Sequence, residues 1–304
     1  MSGVQVLLVA GTHGNELNAP WLFAEWSEKE DLVKDSGITL SRVIGNPAAL
    51  ASCKRYIDQD LNRSFTADFM KSNTSEIKEV IRAKELFSIY GPSGIKPCQI
   101  VIDFHSTTAS MGTCLVIYGR RPKDLALASL IQNRLGIPIY LHECDQFQKG
   151  FLAEYWPCGL VIEIGPVSQG VLDQRIIKQT KLSLEICLEE ISKFNSDESV
   201  FPEQVIIYRH LKNIDFPRDI KGRPKYFIHK DIQNKDWLPI NFRDPLFQNL
   251  EGEILFNELK NTVYPVFINE AAYMEKNIAM ALTEREILNF DLSWEEELKD
   301  LFTI

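Results

Sequence analysis

Short apolar runs alternate with longer amphipathic segments over the first two thirds of the chain. The short runs are rich in β-branched residues, as buried strands are, and the longer segments carry apolar residues at helical spacing. Strands are predicted at 4–10, 38–44, 99–105, 113–118 and 137–141, with a further strand opening the segment 160–166. Helices are predicted at 19–35, 75–90, 125–135 and 171–193. This alternation is typical of an α/β domain in which helices flank an open sheet.

The pattern changes near residue 200. A polar link at 195–199 is followed by short β-type runs at 204–208, 225–229, 252–256 and 263–268. Prolines at positions 217, 224, 239, 245 and 265 would break any helix in this part of the chain. We therefore expect a large α/β domain at 1–199 and a smaller β-rich domain at 200–304.

The first predicted strand ends in a loop that carries two side chains able to bind a metal. The strand stops at Gly11, and His13 and Glu16 follow in the motif H-x-x-E. Side chains three residues apart in a helical or turn backbone lie on the same side, so these two can converge on one ion. The alternative is a loop histidine near a helix N-terminus, with Glu16 interacting with the helix dipole.

A second histidine stands at the end of another predicted strand. The run Q-I-V-I-D-F-H ends at His105, and open α/β sheets place their chemistry at the carboxyl ends of strands. With His13 and Glu16, this residue completes the His₂Glu set of catalytic zinc, which leaves a fourth position for water. One Zn²⁺ per chain is therefore predicted. Strand alternation places Asp103 on the face of His105, where it would either orient the imidazole or stabilise a turn or helix end.

Glu163 is an isolated carboxylate inside the apolar run L-V-I-E-I. Buried acids are rare unless they are paired or functional. Because burial raises the pKa of a carboxyl group, Glu163 is suited to act as a general base or acid near neutral pH. The alternative is a buried structural ion pair. The metal-type strand ends that precede Glu163 favour the catalytic interpretation.

The segment 54–65, K-R-Y-I-D-Q-D-L-N-R-S-F, has no clean helical or strand period. It is long and carries bulky apolar residues that would anchor it, and long ordered loops in compact domains are often functional. Arg55 and Arg63 offer planar guanidinium groups suited to carboxylates. A substrate-binding loop and a solvated surface loop with paired charges both fit this pattern.

Composition excludes some classes of partner. The chain has 304 residues and a formal net charge of −9, which disfavours nucleic acids and anionic membranes as partners. Its six cysteines are scattered without a C-x-x-C motif, as expected for buried reduced thiols. No signal peptide is expected before Val4, and no apolar run has the length of a membrane span, so a soluble cytoplasmic protein is predicted. His142, His210 and His229 lack ligand spacing and are expected to be structural or surface residues.

Five segments in order resemble the aspartoacylase/succinylglutamate desuccinylase family, which is itself similar to zinc carboxypeptidases in its main domain. They are G-T-H-G-N-E, R-Y-I-D-Q-D-L-N-R-S-F, D-F-H-S-T-T, I-E-I-G-P-V-S-Q-G-V-L and V-Y-P-V-F-I-N-E-A-A-Y. The resemblance covers nearly the whole chain. It implies a zinc-carboxypeptidase-like mixed sheet with flanking helices, and a β-rich C-terminal domain that partly covers the channel to the metal.

The resemblance also implies roles for particular residues. His13, Glu16 and His105 match the zinc ligands of the family. Glu163 matches the general base that takes a proton from the zinc-bound water. Arg55 matches the arginine that polarises the scissile carbonyl group and stabilises the oxyanion.

Further matches concern the substrate. Asn62 and Arg63 match the pair that holds the substrate carboxylate, and Tyr273 matches a tyrosine that reaches the pocket from the C-terminal domain. The chain departs from the family at Gln146–Gly150, where mammalian members carry a tyrosine and an arginine for the aspartate side chain. Lys149 could supply a point charge there, although an ammonium group does not replace a guanidinium fork. The run W-P-C-G-L-V before Glu163 is also longer than in the family.

The predicted function is zinc-dependent hydrolysis of an N-acyl-L-amino acid, with N-acetyl-L-aspartate as the first expected substrate. Alternatives with the same chemistry are desuccinylation of succinylglutamate and deacylation of aromatic or cysteine-conjugated N-acyl amino acids. A zinc carboxypeptidase and a zinc-binding regulatory protein without catalysis are further alternatives. The expected partner is a small anionic substrate, and a homo-oligomer is left open.

Overall fold

Two β-sheets and their flanking helices form the part of the chain described by the computed structural model, residues 4–34, 36–72, 76–143 and 148–303. The strands are β1 (Gln5–Ala10), β2 (Thr39–Ile44), β3 (Ile100–Ser106), β4 (Thr113–Tyr118), β5 (Ile139–His142), β6 (Cys158–Ile164), β7 (Gln204–Ile214), β8 (Phe227–Ile228), β9 (Pro245–Gln248), β10 (Ile254–Phe256), β11 (Tyr264–Val266) and β12 (Met280–Asn289). The helices are α1 (Asn18–Glu28), α2 (Pro47–Ala51), α3 (Ala67–Lys71), α4 (Lys78–Tyr90), α5 (Pro122–Leu135), α6 (Gln174–Asn195) and α7 (Leu292–Lys299). Short 3₁₀ helices lie at Glu30–Leu32, Leu61–Arg63, Ala153–Tyr155, Ala271–Lys276 and Asp300–Phe302.

The main sheet has nine strands in the order β11-β12-β7-β5-β4-β6-β3-β1-β2. Strand β1 pairs in parallel with β2 and β3, and β3 pairs in parallel with β6, whereas β4 runs antiparallel to β6. The sheet is therefore mixed, as predicted. Because β1, β3 and β6 are parallel, their carboxyl ends meet at one edge, and His105 lies opposite Glu163 in the register.

Both faces of this sheet are covered, which explains the unbroken apolar run of β1. Val6, Leu8 and Ala10 pack in the core that includes α1, α5 and α6. Leu7 and Val9 pack on the other face, in the core that includes α4. Complete burial of such side chains contributes about 1.5–3 kcal/mol each, so the strand is fixed from both sides.

The predicted strands of the first domain are confirmed, while some helix boundaries are wrong. The helix predicted at 19–35 is too long, because α1 ends at Glu28 and Lys29 leaves helical geometry at φ −130°. Helix α5 begins at 122 rather than 125, since Pro122 occupies its first turn, where a missing N–H costs nothing. Helix α6 begins at 174, because the Asp173 side chain caps its N-terminus.

The C-terminal part is β-rich, as expected, but three of its strands belong to the main sheet. Strand β7 pairs in parallel with β5, so β7, β12 and β11 continue the main sheet. Strands β8, β9 and β10 form a small sheet over a separate apolar core. Neither β12 nor α7 was predicted. Strand β12 was missed because its T-E-R-E run lacks the apolar pattern of a strand. In the structure, Arg209 on the paired strand β7 donates to the carboxylates of Glu284 and Glu286. None of the described helices is long and apolar enough to cross a bilayer.

The segment 54–65 is an ordered loop held by buried groups. Leu61 and Phe65 are buried in the core on the α4 side of the sheet, as the anchoring interpretation required. Glu79 at the start of α4 is also buried, and its carboxylate accepts hydrogen bonds from three successive backbone N–H groups, those of Ile57, Asp58 and Gln59, at 2.7–3.2 Å. Glu79 therefore fixes the part of the loop that follows Arg55.

We expect Glu79→Gln to lower the free energy of unfolding by about 1–3 kcal/mol, because an amide NH₂ group would face backbone donors it cannot satisfy. Chemical denaturation measures this change. The matched control is Glu85→Gln on the same helix, where the glutamate side chain is 53% exposed and forms an ion pair with Arg82. Equal stability of the two variants would show that Glu79 does not hold the loop.

Candidate metal and catalytic site

The loop after β1 is fixed against the loop that carries Arg55. The backbone N–H of Gly14 donates to the carbonyl of Arg55 at 3.2 Å. A Cβ atom at Gly14 would lie 2.0 Å from the backbone carbon of Ala49, so only glycine allows this approach. His13 and Glu16, on either side of this contact, are thereby placed at the strand ends beside Arg55.

The structure brings the three predicted metal ligands together. The Nδ1 atoms of His13 and His105 lie 3.1 Å apart. The Glu16 carboxylate spans both rings, with Oε1 2.6 Å from His13 Nδ1 and Oε2 3.0 Å from His105 Nδ1. All three residues are buried, and their ligand atoms form the one His/Cys/Asp/Glu cluster of metal-binding geometry within the described ranges.

The opposite nitrogens of both rings face buried carboxylates. His13 Nε2 lies 3.1 Å from Asp60 Oδ1, and His105 Nε2 lies 2.8 Å from Asp103 Oδ2. With a metal ion at the Nδ1 atoms, each Nε2 would carry the ring proton and donate it to the carboxylate behind it. The two Nδ1 atoms and the Glu16 oxygens, which face one another, are then the candidate ligand atoms. The residues present therefore fit a divalent metal ion, with Asp60 and Asp103 orienting the ligand rings.

The pKa values of these groups reflect the same charge pattern. Burial raises the pKa of Glu16, but His13 and His105 outweigh it and hold the pKa well below its usual range. Burial lowers the pKa of His105, but Asp103 and Glu16 raise it well above the ordinary value. The cluster thus favours ionised carboxylates around a positive charge.

Glu163 stands on β6 beside His105 and lines the same cavity. Its Oε2 atom is buried without a hydrogen-bond partner, and it forms no ion pair with the described residues. Burial raises the pKa of Glu163 to about 8, an effect that His105 partly offsets. A metal cation bound nearby would lower this pKa and favour the ionised base. The alternative interpretation, in which Glu163 forms a buried structural ion pair, therefore has no support among the described residues.

Arg55 is held at the metal cluster by two carboxylates. Its Nη2 donates to Asp60 Oδ2 at 3.1 Å, and its Nη1 lies 3.7 Å from Glu16 Oε1. The Nε atom of Arg55 is buried without a partner. Its guanidinium group is thus fixed beside the candidate ligands with donor capacity left for a bound molecule.

Asn62 and Arg63 lie in the 3₁₀ helix of the same loop. The Arg63 guanidinium lies over the Phe151 ring at 4.3 Å and donates to Gln148 Oε1 at 2.7 Å. Asn62 Oδ1 accepts the backbone N–H of Leu152 at 3.0 Å, and its Nδ2 points to the metal cluster, 3.3 Å from His105 Nε2. Both side chains therefore line the cavity in fixed orientations.

Residues of the C-terminal part also line the cavity. Tyr273, as predicted from the resemblance, lies there with Phe267, at a ring distance of 5.3 Å. Glu270 lines it too, and accepts hydrogen bonds from the backbone N–H groups of Thr108 and Ala109 at 2.8 and 3.1 Å. The C-terminal part is therefore joined directly to the loop that follows β3.

The structure does not bring Lys149 to the cavity. Its side chain is exposed, whereas the neighbouring Gln148 lines the cavity and bonds Arg63. The rest of the divergent segment, Gln146 and Phe147, lies outside the described residues. The interpretation of Lys149 as a substrate contact thus has no geometric support.

Several residues of the site were missed from the sequence. Asp60 lies behind His13 rather than in the cavity wall, and its contact with His13 depends on tertiary structure. Lys276 also lines the cavity, and its position three residues after Tyr273 could have indicated this from the sequence. His142, expected to be structural, lines the cavity and stacks on His210 at 5.4 Å.

A mixed sheet with a buried His–Glu–His cluster at its strand ends defines an α/β protein with a candidate metal site. Residues 2–191 match the succinylglutamate desuccinylase/aspartoacylase catalytic domain, and residues 203–285 match the AstE/AspA barrel-sandwich hybrid domain. The chain therefore belongs to the succinylglutamate desuccinylase/aspartoacylase family, which confirms the resemblance seen in its five segments.

Individual relatives agree with this assignment. Proteins named probable aspartoacylase from Prochlorococcus marinus and Parasynechococcus marenigrum are 58% and 46% identical to this chain, over 99% of it and 99% of their own length. Murine aminoacylase 3 is 32% identical with a TM-score of 0.86, covering 95% of this chain and 97% of its own. Succinylglutamate desuccinylase from Vibrio parahaemolyticus, at 15% identity and a TM-score of 0.61, covers 95% of this chain and 86% of its own, and shares the fold.

We expect Asp103→Asn to weaken zinc binding about 10- to 100-fold, because the ring of His105 would lose a charged acceptor. Competition with a chromophoric chelator measures the affinity. Asp68→Asn on the surface of α3 is the control and should bind zinc as the wild type does. Unchanged affinity in Asp103→Asn would contradict the orienting role.

Proposed function

We propose that this chain is a zinc-dependent amidohydrolase that removes the acyl group from small N-acyl-L-amino acids, with N-acetyl-L-aspartate as the expected substrate. The observation that carries the proposal is the unpartnered Glu163 carboxylate beside the His13–Glu16–His105 cluster. Family membership and relatives named probable aspartoacylase support the reaction class.

Zinc held by His13, Glu16 and His105 would supply Lewis acidity, which polarises a carbonyl oxygen and lowers the pKa of water. Glu163 is the base that removes the proton from the attacking water. The protonated carboxyl group then delivers this proton to the leaving amine nitrogen. With zinc bound, the pKa of Glu163 would fall from its raised value towards the range in which the carboxyl group both accepts and releases a proton near neutral pH.

Arg55 is proposed to bind the carbonyl oxygen of the scissile amide. Its guanidinium is fixed by Asp60 and lines the cavity. A preorganised donor of this kind stabilises the developing oxyanion by about 3–4 kcal/mol. The presence of both Arg55 and Glu163 beside the metal-binding cluster also argues against a regulatory protein without catalysis. Such a protein would need neither residue there.

Arg63 and Asn62 are proposed to hold the α-carboxylate of the substrate. The Phe151 ring and Gln148 already orient the Arg63 fork, so little side-chain entropy is lost on binding. Tyr273, Glu270 and the rest of their segment close the cavity from the C-terminal side, which supports small substrates over the peptides of a carboxypeptidase.

A second candidate is deacylation of aromatic N-acyl amino acids. It is favoured by the apolar and aromatic part of the cavity wall, formed by Val116, Tyr118, Phe151, Val161 and Phe267. The similarity to murine aminoacylase 3 is compatible with it. A panel of N-acetyl-aspartate, N-acetyl-phenylalanine and N-succinyl-glutamate separates these options. Cytoplasmic location stays a prediction from the sequence, and the oligomeric state stays open.

Glu163→Gln is expected to lower kcat about 10²- to 10⁴-fold while retaining one zinc per chain, because the amide cannot accept the water proton. Turnover and metal content are measured on the same preparation. A near-normal rate would rule out Glu163 as the base, and a loss of zinc would assign it to the metal site instead.

Arg63→Ala should mainly raise KM, about 10-fold or more, because the carboxylate clamp acts on the bound substrate. Steady-state kinetics with N-acetyl-L-aspartate give the two constants separately. Arg134→Ala, on the exposed side of α5, serves as the control. A defect confined to kcat would count against the clamp.

A further inference from the structure

The divergent segment before β6 leaves one substrate group without an evident partner. N-acetyl-L-aspartate carries two carboxylates, and Arg63 is proposed to hold one of them. Residues 144–148 read C-D-Q-F-Q and contain no cation. The next residue, Lys149, is exposed and does not line the cavity. A cation for the second carboxylate must come from another part of the fold.

Lys276 is placed to be that cation. It ends the 3₁₀ helix Ala271–Lys276 and lines the cavity with Arg55 and Arg63. Its Nζ atom lies 6.0 Å from the centre of the Tyr273 ring. The side chain is 24% exposed, so the ammonium group is largely removed from water but open to the cavity.

The charges around Lys276 leave it available for an anion. Its nearest carboxylate is Asp60, with Oδ2 3.6 Å from Nζ, which is longer than a hydrogen bond. Asp60 is already engaged by His13 and Arg55 at 3.1 Å each. An ammonium group has three donors, so Nζ can donate to a bound carboxylate while Asp60 stays close to it.

The pKa of Lys276 also favours binding of an anion. Burial, with a further contribution from Arg63, lowers the pKa of Lys276 to about 8, despite the opposing effect of Asp60. A cation in this position gains an opposite charge when an anionic ligand enters. A substrate with a neutral side chain would bring no opposite charge, and the ammonium group of Lys276 would stay uncompensated.

We propose that Lys276 binds the side-chain carboxylate of an N-acyl dicarboxylic amino acid and thereby sets the preference for acidic over neutral substrates. This inference rests on the proposed deacylase function. It assigns to the C-terminal part of the chain a recognition role that the divergent segment near Lys149 does not fill.

The test compares N-acetyl-L-aspartate with its neutral isostere N-acetyl-L-asparagine. Wild-type protein should favour the aspartate compound. Lys276→Met should reduce the ratio of the two kcat/KM values about 10- to 100-fold, mainly through KM for the acidic substrate. Lys276→Arg should keep most of the preference, because it keeps the positive charge. Lys29→Met, in the exposed residue that follows the end of α1, is the control and should leave both rates unchanged.

The outcomes separate this inference from the proposed function. An unchanged ratio in Lys276→Met, or an equal loss on both substrates, would overturn the role of Lys276 while leaving deacylation intact. A wild type that prefers the asparagine compound would do the same. If Lys149→Met instead lost the preference for the aspartate compound, the side-chain carboxylate would be assigned to Lys149 and not to Lys276. A zinc-loaded wild type that hydrolyses no N-acyl amino acid would overturn both proposals.

Discussion

The mutual orientation of His13, Glu16 and His105 is the constraint on which the rest of the site depends. Their ligand atoms face one another at 2.6–3.1 Å in a buried space. Two imidazole nitrogens and a carboxylate in this arrangement are a suitable ligand set for a divalent cation. Asp60 and Asp103 lie behind the rings, where each contacts an outer ring nitrogen and would orient that ring towards a bound metal ion.

Asp60 connects the candidate metal site to the residues proposed to bind substrate. One carboxylate contacts His13 through Oδ1, and Arg55 and Lys276 through Oδ2. It also accepts the backbone N–H of Asn62 at 2.9 Å, which fixes the turn that presents Arg63. The candidate metal ligand His13 and the proposed substrate-binding residues Arg55 and Arg63 are therefore all linked to one buried carboxylate. The loop that carries it is in turn held by Glu79.

The spatial grouping of the strand-end residues could be predicted from the sequence. His13, Glu16, His105 and Glu163 lie at or near the ends of strands, and parallel pairing of those strands is enough to bring them to one edge. Periodicity could not reveal contacts made across the fold. Lys276 reaches the cavity only because β7, β12 and β11 extend the same sheet.

The errors in the fold have similar causes. Strand β12 is rich in charged residues, and their partners on β7 are visible only in three dimensions. Lys149 was considered for its charge and position in the sequence, but its side chain points to solvent. The local pattern thus located the strands and the candidate metal ligands. Long-range strand pairing determined which cationic side chains line the cavity.

X-ray absorption spectroscopy of the zinc-loaded protein tests the central proposition most directly. The account predicts one zinc per chain, coordinated only by nitrogen and oxygen at about 2.0–2.2 Å, with an imidazole signature for two histidines. Sulfur ligands at about 2.3 Å, or an imidazole contribution that persists when both His13 and His105 are replaced, would contradict it.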